Sequence, residues 1–523
     1  MTRHLFTFAT LVLAAAASHA QPKKLLMHYM PWYQTEPFSG YWGIHWAGPN
    51  DEFNPNIIAP DGRPEIYSHY DPLIGPYDSS DPHVLEYHLL LMKLAGVDGV
   101  IVDWYGLSNT FDYPPIHAAT EILFDVAADL DMEFSICYED RSIEAQVNTG
   151  ALNPADIPSY MLGELIWMQA NWFNAAHYTK KDGRPLLLNF GPIFVTDPGP
   201  WTTAFSLLNP KPYFYALHNL WTLPQADGGF TWVHWSAWDN SPSEAVTKFR
   251  LSQIHTGVST DPDKVIPSAV AGFKDIYEPG GRFPFLDHNN GETMRQSLEV
   301  AIDGPWDIVQ LVTWNDFGEG TMIEPTFEFG YTFLEAIQQE RRDELGAAFT
   351  FTSDDLRLPK RLYDMRVAGT APQATLDQIA DLLRDGEPAQ ARALLDLIDG
   401  TFILPKPGDL IVDAGGTLIF TSAVPGGGAG LDLQWLRDGE PLADDARVLG
   451  STAETLIISD ARYADAGAYT LRVSVAGTDV ESPPAIGGVR PSPLGPVDVD
   501  GDGSATDADR LEFILQVEAA TGG

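Results

Sequence analysis

Short apolar runs alternate with amphipathic helical patterns from Lys24 to about Pro359. Most of the runs are continuously apolar, which is typical of strands in a parallel sheet that is covered on both faces. They fall at 25–29, 98–104, 133–138, 185–190, 212–217, 231–237, 266–271 and 307–314. Eight strands with helices between them predict a (β/α)8 barrel of the TIM type. A doubly wound open sheet is the alternative, but no glycine-rich phosphate-binding fingerprint supports it.

Helix signals lie between these runs. Asp81-Pro82 precedes the apolar pattern of residues 83–95 and Gly96 follows it, as in a capped helix. Similar patterns predict helices at 116–130, 157–173 and 292–302. The strand–helix alternation therefore accounts for most of the chain up to residue 360.

A long segment, residues 30–80, separates the first strand from the first helix. Long connections without regular structure are usually functional. This one is rich in aromatic residues, namely Trp32, Tyr33, Phe38, Tyr41, Trp42, Trp46, Tyr67 and Tyr70. Aromatic faces can stack on the C–H faces of sugar rings, so these residues, with Trp104, Tyr105, Trp235 and Trp238, are expected to line a cleft. A loop packed by its own aromatic residues would give the same pattern.

Polar residues follow most of the predicted strands. The set comprises Asp103, Glu139, Asn189, His218, Asp239, Asn315 and Asp316. In a barrel these strand ends share one face, which is the face that carries catalytic residues. A single acid after a strand is often a helix cap, but the recurrence favours a functional site.

Two acids three residues apart, Asp316 and Glu319, end the eighth predicted strand within the stretch DFGEG. Hydrolysis of a glycosidic bond commonly uses two carboxyl groups, one as proton donor and one as base or nucleophile. Proximity would raise the pKa of one of them and keep it protonated. The alternative is that one acid caps a following helix.

The composition changes after Pro359. Residues 375–400 predict two short amphipathic helices around 386–388, and short alternating strands follow from residue 403. Trp435 and the sequence Asp465-x-Gly467-x-Tyr469 resemble the core tryptophan and the tyrosine corner of an immunoglobulin-like domain. The usual cysteines are absent, so this all-β sandwich is expected to depend on packing alone.

The last motif is VDVDGDGSATDADRLEFI, near the end of the chain. Oxygen-bearing side chains occupy positions 1, 3, 5, 7, 9 and 12 of a calcium loop, with Gly503 at position 6, and the predicted ligands are Asp498, Asp500, Asp502, Ser504, Thr506 and Asp509. The segment resembles one repeat of a dockerin. An acidic tail without bound metal is the alternative. A dockerin needs two such repeats and only one is present, which argues against docking of the dockerin type. The C-terminal modules are expected to contact a cell-surface or scaffold partner.

Bulk properties narrow the function classes. The net charge of −41 argues against nucleic acid and anionic membrane surfaces as partners. Residues 1–20 have the charged start, apolar stretch and small-residue cleavage site of a signal peptide, which predicts a secreted, periplasmic or cell-surface protein.

The expected domains are a signal peptide (1–20), a catalytic barrel (22–360), a helical linker (361–402), an immunoglobulin-like domain (403–487) and a calcium-binding repeat (495–518).

Three stretches are distinctive: HYMPWYQTEPFSGYWGIHW (28–46), residues 71–106, and TWNDFGEGTMIEP (313–325). They resemble glycoside hydrolase family 99, the endo-α-mannosidases and endo-α-mannanases. The WNDFGE core is more similar to family 71, the α-1,3-glucanases. The resemblance implies that Glu319 is the general acid/base. Asp316 stands where family 99 has the glutamate that deprotonates the sugar 2-hydroxyl in a retaining reaction, and where family 71 has an aspartate and inverts.

The same resemblance implies further site residues. Glu139 corresponds to an acid near the site in both families, as a third catalytic carboxylate or a sugar ligand. Substrate-binding positions are expected at Tyr29, Trp32, Tyr33, His45, Trp46, Asp103, Trp104, Trp238 and Asn315. No cofactor is expected for catalysis.

The predicted function is that of a secreted, endo-acting hydrolase of α-linked polysaccharide, of the α-mannan or α-glucan type. The alternative is a non-catalytic glycan-binding surface protein on a hydrolase barrel, motivated by aspartate in place of glutamate at 316. A calcium-dependent adhesion role for the C-terminal modules is a third reading.

Overall fold

The structure, a computed structural model, describes residues 22–240, 243–277, 281–428, 430–475 and 477–490. Its first sheet is built from ten strands: β1 (Lys24–Tyr29), β2 (Gly99–Trp104), β3 (Glu133–Tyr138), β4 (Lys180–Lys181), β5 (Arg184–Asn189), β6 (Tyr213–Leu217), β7 (Gly228–Phe230), β8 (Val265–Ile266), β9 (Ser268–Val270) and β10 (Ile308–Val312). The order is β8-β7-β6-β5-β3-β2-β1-β10-β9, and every neighbouring pair in it is parallel. The remaining strand, β4, forms a hairpin with β5.

The sheet closes on itself because β8 and β9 are two halves of one strand, separated by Pro267. Ile266 of β8 pairs with Phe230 of β7, and Ser268 of β9 pairs with Gln310 of β10. Eight parallel strand positions therefore form a barrel, which confirms the predicted (β/α)8 fold. A buried apolar cluster fills its interior, with Leu26, Ile101, Cys137, Leu188 and Tyr215 among its members.

The sixth predicted strand, 231–237, was misplaced. The strand at this position is β7, Gly228–Phe230, and Trp235–Trp238 are helical. Two of the three residues of β7 are glycines, which give no apolar signal. The apolar run that follows leaves the sheet instead and brings aromatic side chains to the barrel mouth. Predicted strands at the other seven positions agree with the structure within about two residues.

Helices surround the barrel and continue beyond it. They are α1 (Glu36–Ser39), α2 (Ile44–Ala47), α3 (Pro82–Ala95), α4 (Tyr113–Asp129), α5 (Arg141–Asn148), α6 (Ile157–Met168), α7 (Pro198–Ala204), α8 (Trp235–Trp238), α9 (Glu244–Val258), α10 (Glu292–Asp303), α11 (Thr332–Leu345), α12 (Leu358–Ala368), α13 (Gln373–Arg384) and α14 (Pro388–Ile398). The predicted caps of α3 are confirmed: the Asp81 side chain accepts the His83 N–H, and Gly96 ends the helix with φ of 89°. Within the described ranges, each helix is too short or too polar to cross a bilayer.

The helical segment α12–α14 packs against the barrel through a buried arginine. Arg366 of α12 donates to both carboxylate oxygens of Glu86 on α3, at 2.7 Å each, and to Asp377 of α13 at 2.9 Å. The paired, planar geometry makes this a strong charge-assisted contact. The predicted domain boundary at 360 falls inside α12.

The C-terminal domain is a two-sheet sandwich. Its strands are β11 (Leu410–Asp413), β12 (Leu418–Thr421), β13 (Asp432–Arg437), β14 (Glu440–Pro441), β15 (Val448–Leu449), β16 (Thr455–Ile458), β17 (Gly467–Val475), β18 (Thr478–Glu481) and β19 (Ala485–Arg490). One sheet has the order β11-β19-β17-β13-β14 and the other β12-β16-β15. Trp435 is fully buried opposite Leu471, and the Tyr469 hydroxyl donates to the Asp465 carbonyl oxygen. The predicted core tryptophan and tyrosine corner are both present.

Replacing Tyr469 by phenylalanine is expected to lower the free energy of unfolding of the sandwich by about 1 kcal/mol, because the buried Asp465 carbonyl loses its donor while ring packing is kept. Hydrogen exchange of the backbone amides of β13 and β17 measures the change. Equal stability of wild type and Tyr469→Phe would contradict a structural role for this hydroxyl.

Candidate active site

A cleft of about 280 Å³ opens at the carboxyl ends of the barrel strands. Its walls come from β1, β2 and the segments that follow β1, β2, β3, β5, β7, β9 and β10. The lining residues are His28, Met30, Trp32, His45, Asp103, Tyr105, Glu139, Arg141, Phe190, Trp232, Tyr277, Arg282, Asp316 and Glu319. Four of them are carboxylic acids, so several acids from different strand ends meet in one cleft.

The turn after β10 is fixed by its own polar groups. The Thr313 hydroxyl oxygen accepts the Asp316 N–H at 2.9 Å, and Asp316 Oδ1 accepts the Glu319 N–H at 2.8 Å. No helix begins here, because α11 starts only at Thr332. Helix capping therefore does not explain either acid, and both line the cleft.

Glycines on each side of Glu319 allow the neighbouring loop to pack closely. A Cβ atom at Gly318 would lie 2.7 Å from the Tyr277 hydroxyl, and one at Gly320 would lie 2.6 Å from the Lys274 carbonyl oxygen. Gly320 also has a φ of +63°, which favours glycine. The sequence DFGEG thus brings Tyr277 against the two carboxylates.

Burial sets different protonation states for the two acids. Desolvation raises the pKa of Asp316 to about 7, opposed by hydrogen bonds from the backbone N–H groups of Glu319 and Gly318. Desolvation, and then the nearby Asp316, raise the pKa of Glu319 well above its usual range. Asp316 is the residue whose anion the backbone stabilises, and Glu319 is the residue that keeps its proton.

Two further acids extend this cluster across the cleft. Desolvation raises the pKa of Asp103 to about 8, with a further increase from Asp316. Desolvation, then Asp103 and Asp140, raise the pKa of Glu139 well above its usual range, and Arg141 opposes this. Such an array of carboxyl groups with perturbed pKa values is typical of a catalytic site rather than of structural ion pairs.

Aromatic rings form the walls beside the acids. Trp32 and His45 are parallel and stacked, with ring centroids 4.2 Å apart. Another lining residue, Trp232, packs edge-on against His28 and Phe190, at 4.9 and 4.8 Å between centroids. The cleft therefore combines flat apolar faces with carboxyl groups, as a sugar-binding site requires.

Six of the predicted substrate-binding residues do not line this cleft. Tyr29, Tyr33, Trp46 and Asn315 are buried beneath it, Trp104 is buried against His117 on the outer side, and Trp238 lines a neighbouring cavity. Asn315 joins β1 to the end of β10, since its side chain accepts the Met30 N–H at 2.8 Å and donates to the Met30 carbonyl at 3.0 Å. The cleft does contain Trp32, His45 and Asp103, together with Asp316, Glu319 and Glu139.

The structure adds cleft residues that the sequence did not single out. Arg141 follows the strand-end acid Glu139 by two residues, and that proximity was the available signal, whereas Tyr105 lines the cleft as the sequence predicted. Tyr277 and Arg282 come from the loop after β9, where no strand-end motif marks them. Tyr277 lies close enough to Asp316 and Glu319 for both to raise the pKa of its hydroxyl, after desolvation.

One group among the described residues brings three metal-binding side chains together. The donor atoms of His28, Asp103 and Cys137 lie within 4.8 Å of one another. Burial raises the pKa of the Cys137 thiol well above its usual range, which disfavours the thiolate that metals bind. The predicted calcium ligands at 498–509 and the signal peptide at 1–20 lie outside the described residues, so both stay predictions.

Comparison with known proteins agrees with the two folded regions. Residues 402–483 match the immunoglobulin I-set domain, the fold that the sandwich shows. In the barrel, a glycoprotein endo-alpha-1,2-mannosidase-like protein of Danio rerio is 24% identical over 326 residues, which cover 57% of this chain and 69% of that protein. The glycoprotein endo-alpha-1,2-mannosidase of Mus musculus is 32% identical over 108 residues, 18% of this chain and 23% of that protein.

Among solved structures, the GH99 endo-alpha-mannosidase from Bacteroides thetaiotaomicron is 19% identical, with a TM-score of 0.45, and the match covers 62% of this chain and 98% of that one. By sequence, the barrel region is similar to proteins with endo-alpha-mannosidase names. The family 71 features stay a prediction.

Proposed function

We propose that the barrel is an endo-acting glycoside hydrolase that cleaves α-linked glycans, with α-mannose-containing chains as the substrate class. One observation carries the proposal: Asp103, Glu139, Asp316 and Glu319 meet in a single cleft. The stacked Trp32 and His45 beside them offer an apolar face for a sugar ring. The endo-α-mannosidase names of the relatives support the choice of sugar.

The environments of the two acids on the β10 turn support a different role for each. The raised pKa of Glu319 favours its protonated form, which supports a role as the acid that donates a proton to the leaving oxygen. Asp316 becomes the carboxylate, because two backbone N–H groups stabilise its anion, and it acts as the base. Glu139 and Asp103 complete the polar wall that faces the sugar hydroxyl groups.

The base has two chemical routes. If the Asp316 carboxylate removes the proton of the sugar 2-hydroxyl, the reaction proceeds through a 1,2-anhydro sugar and retains the anomeric configuration. If the carboxylate activates water, the configuration inverts. The anomer of the first product, observed by proton NMR, therefore distinguishes the two routes.

Incubation with α-mannan, α-1,3-glucan and other α-linked glycans tests the proposal. We expect oligosaccharides to be released from an α-mannose-containing glycan, and an endo-acting enzyme gives mixed chain lengths before any monosaccharide. Release of oligosaccharides from α-1,3-glucan alone would show that the substrate is an α-glucan and not an α-mannose-containing glycan. If the protein binds glycans on an array but releases no product from any of them, the result would contradict hydrolysis and favour the non-catalytic glycan-binding function.

Three further proposals concern regions outside the barrel. We propose that the chain is secreted, that residues 498–509 bind calcium, and that the immunoglobulin-like domain and the calcium repeat serve a surface or scaffold partner. Removal of the chain after about residue 400 is expected to leave hydrolysis intact, because the lining residues of the cleft all precede residue 320.

A further inference from the structure

Three side chains that can bind a metal ion meet at the floor of the catalytic cleft. His28, Asp103 and Cys137 offer a nitrogen, an oxygen and a sulfur atom, and these donor atoms lie within 4.8 Å of one another. All three residues are buried, with 0%, 2% and 0% of their surfaces exposed. Because the donors of a tetrahedral zinc site lie about 3.5 Å from one another, the three atoms are already close to that spacing.

Neighbouring strands of the barrel hold the three residues. His28 lies on β1, Asp103 on β2 and Cys137 on β3, and β2 pairs with both of the other strands. Asp103 and Cys137 are direct partners in the parallel register of β2 and β3. Ligands on strands keep a more precise spacing than ligands on loops. The backbone of the barrel therefore holds the three donors together.

His28 presents the form of imidazole that a metal ion binds. Its Nδ1 lies 3.5 Å from the side-chain oxygen of Gln310, which can only accept, so Nδ1 carries the proton. The Gln310 amide nitrogen is oriented by the Thr231 carbonyl and the Ser268 hydroxyl, at 3.4 Å each. Burial lowers the pKa of His28 to about 3, so the ring is neutral and Nε2 keeps its lone pair. Metal-binding histidines commonly donate their other N–H to an oxygen in this way.

Two polar atoms of the set are buried without hydrogen-bond partners. Among the described residues, neither Nε2 of His28 nor Oδ1 of Asp103 has one. Such atoms are rare in native proteins, and they commonly mark the place of a water or an ion. Since the two residues and Cys137 bring their donors together, one cation would contact all three.

A divalent cation also removes the cost of a buried thiolate. Burial is the main reason why the pKa of the Cys137 thiol is raised, and the charges of Asp103 and Glu139 raise it further. A dication cancels the charges of the thiolate and of the Asp103 carboxylate. Its binding to the protonated site releases two protons and leaves the net charge unchanged. Metal ions deprotonate the thiols that coordinate them.

The site is open to the cleft on one side. His28 and Asp103 are among the lining residues, whereas Cys137 belongs to the apolar interior of the barrel. The lining contains four carboxylic acids and two arginines, Arg141 and Arg282, and this excess of acids favours the entry of a cation. With three ligands from the protein, the fourth position of a tetrahedral ion would face the cleft.

We propose that His28, Asp103 and Cys137 bind a divalent cation of the zinc type, and that the bound ion inhibits cleavage in the adjoining cleft. The set of nitrogen, oxygen and sulfur ligands suits zinc, whereas calcium and magnesium prefer oxygen ligands. The inhibition rests on the proposed hydrolase function, because the ion withdraws Asp103 from the wall that faces the sugar. Metal binding itself does not depend on that function.

Cobalt(II) gives a direct optical test, because Cys137 is the one cysteine of the chain. A thiolate bound to tetrahedral cobalt produces a charge-transfer band that oxygen ligands do not give. Excess calcium is added first, so that the predicted calcium loop at 498–509 does not take up the probe. We expect one equivalent of cobalt to produce the band in the wild type, zinc to abolish it, and magnesium to leave it unchanged.

Three variants assign the ligands. Cys137→Ala should lose the charge-transfer band, and Cys137→Val, which is closer in volume, replaces it if the alanine variant does not fold. His28→Ala should bind cobalt at least about ten-fold more weakly than the wild type. His83→Gln, on α3 and outside the cleft, is the matched control and should bind cobalt as the wild type does. The absence of a band in the wild type would overturn the proposal. Equal affinity in His28→Ala would also overturn it, because cobalt would then bind to the thiol alone.

Glycan cleavage tests the inhibition. Zinc at the concentration that displaces cobalt is expected to lower the wild-type rate at least about ten-fold, because Asp103 leaves its position in the cleft. Cys137→Ala should cleave as the wild type does without zinc and should be unaffected by zinc. Equal inhibition of both proteins would overturn the inhibitory role of this site. If the wild type cleaves no glycan, the hydrolase proposal fails, and the cobalt band alone decides whether the metal site exists.

Discussion

Replacing Glu319 by glutamine is expected to lower kcat for glycan cleavage by about 10³-fold, because the amide cannot donate a proton to the leaving oxygen. The turn should survive the change. Its bonds to Asp316 and Lys274 use the backbone N–H and carbonyl of residue 319, which the substitution keeps. Oligosaccharide release measures the loss, and calorimetry with the uncleaved glycan is expected to show binding close to that of the wild type.

Comparing two substrates distinguishes a role of Glu319 in proton donation from a role in positioning other groups of the site. A dinitrophenyl glycoside has a leaving group that needs no proton, so Glu319→Gln should lose far less activity on it than on a glycan. Glu121→Gln, on the outer face of α4, is the matched control and should behave as the wild type. The same loss on both substrates would contradict the role of Glu319 as general acid, and unchanged glycan cleavage would exclude it from catalysis.

The barrel and its acids were predictable because the signals are local. Buried parallel strands are continuously apolar, and polar residues directly after them mark the catalytic face. Asp103, Glu139 and Asp316 were recognised in this way, and Glu319 through its spacing from Asp316. The strand β7 was not predicted at its true position because two of its three residues are glycines, which give no apolar pattern.

The direction in which an aromatic side chain points is a tertiary property. Trp32 and Trp46 occur in the same aromatic-rich loop, yet Trp32 faces the cleft and Trp46 is fully buried, with its ring stacked on Tyr33. Trp104 ends a strand next to the acid Asp103 but points to the opposite side, because successive residues of a strand alternate between faces. Composition alone therefore does not show which of these aromatic side chains face the cleft and which point away from it.

Asp316 connects the activity of the site to the stability of the fold. Its pKa is raised to about 7 in the folded protein, and burial is the main cause. Between about pH 4 and pH 7 the unfolded chain has lost this proton and the folded chain retains it. The folded state therefore binds more protons than the unfolded state, and the stability contributed at this position falls as the pH rises through that window.

Replacing Asp316 by asparagine should consequently abolish cleavage and stabilise the protein. The neutral amide can still accept the Glu319 N–H, but it removes the cost of a buried carboxylate. We expect the free energy of unfolding of Asp316→Asn to match that of the wild type near pH 4 and to exceed it by at least about 1 kcal/mol at pH 8. Urea unfolding at both pH values measures the difference, with the exposed turn residue Asp182→Asn as control. A difference that is independent of pH would contradict the raised pKa, because only a group that titrates differently in the two states makes the gain depend on pH.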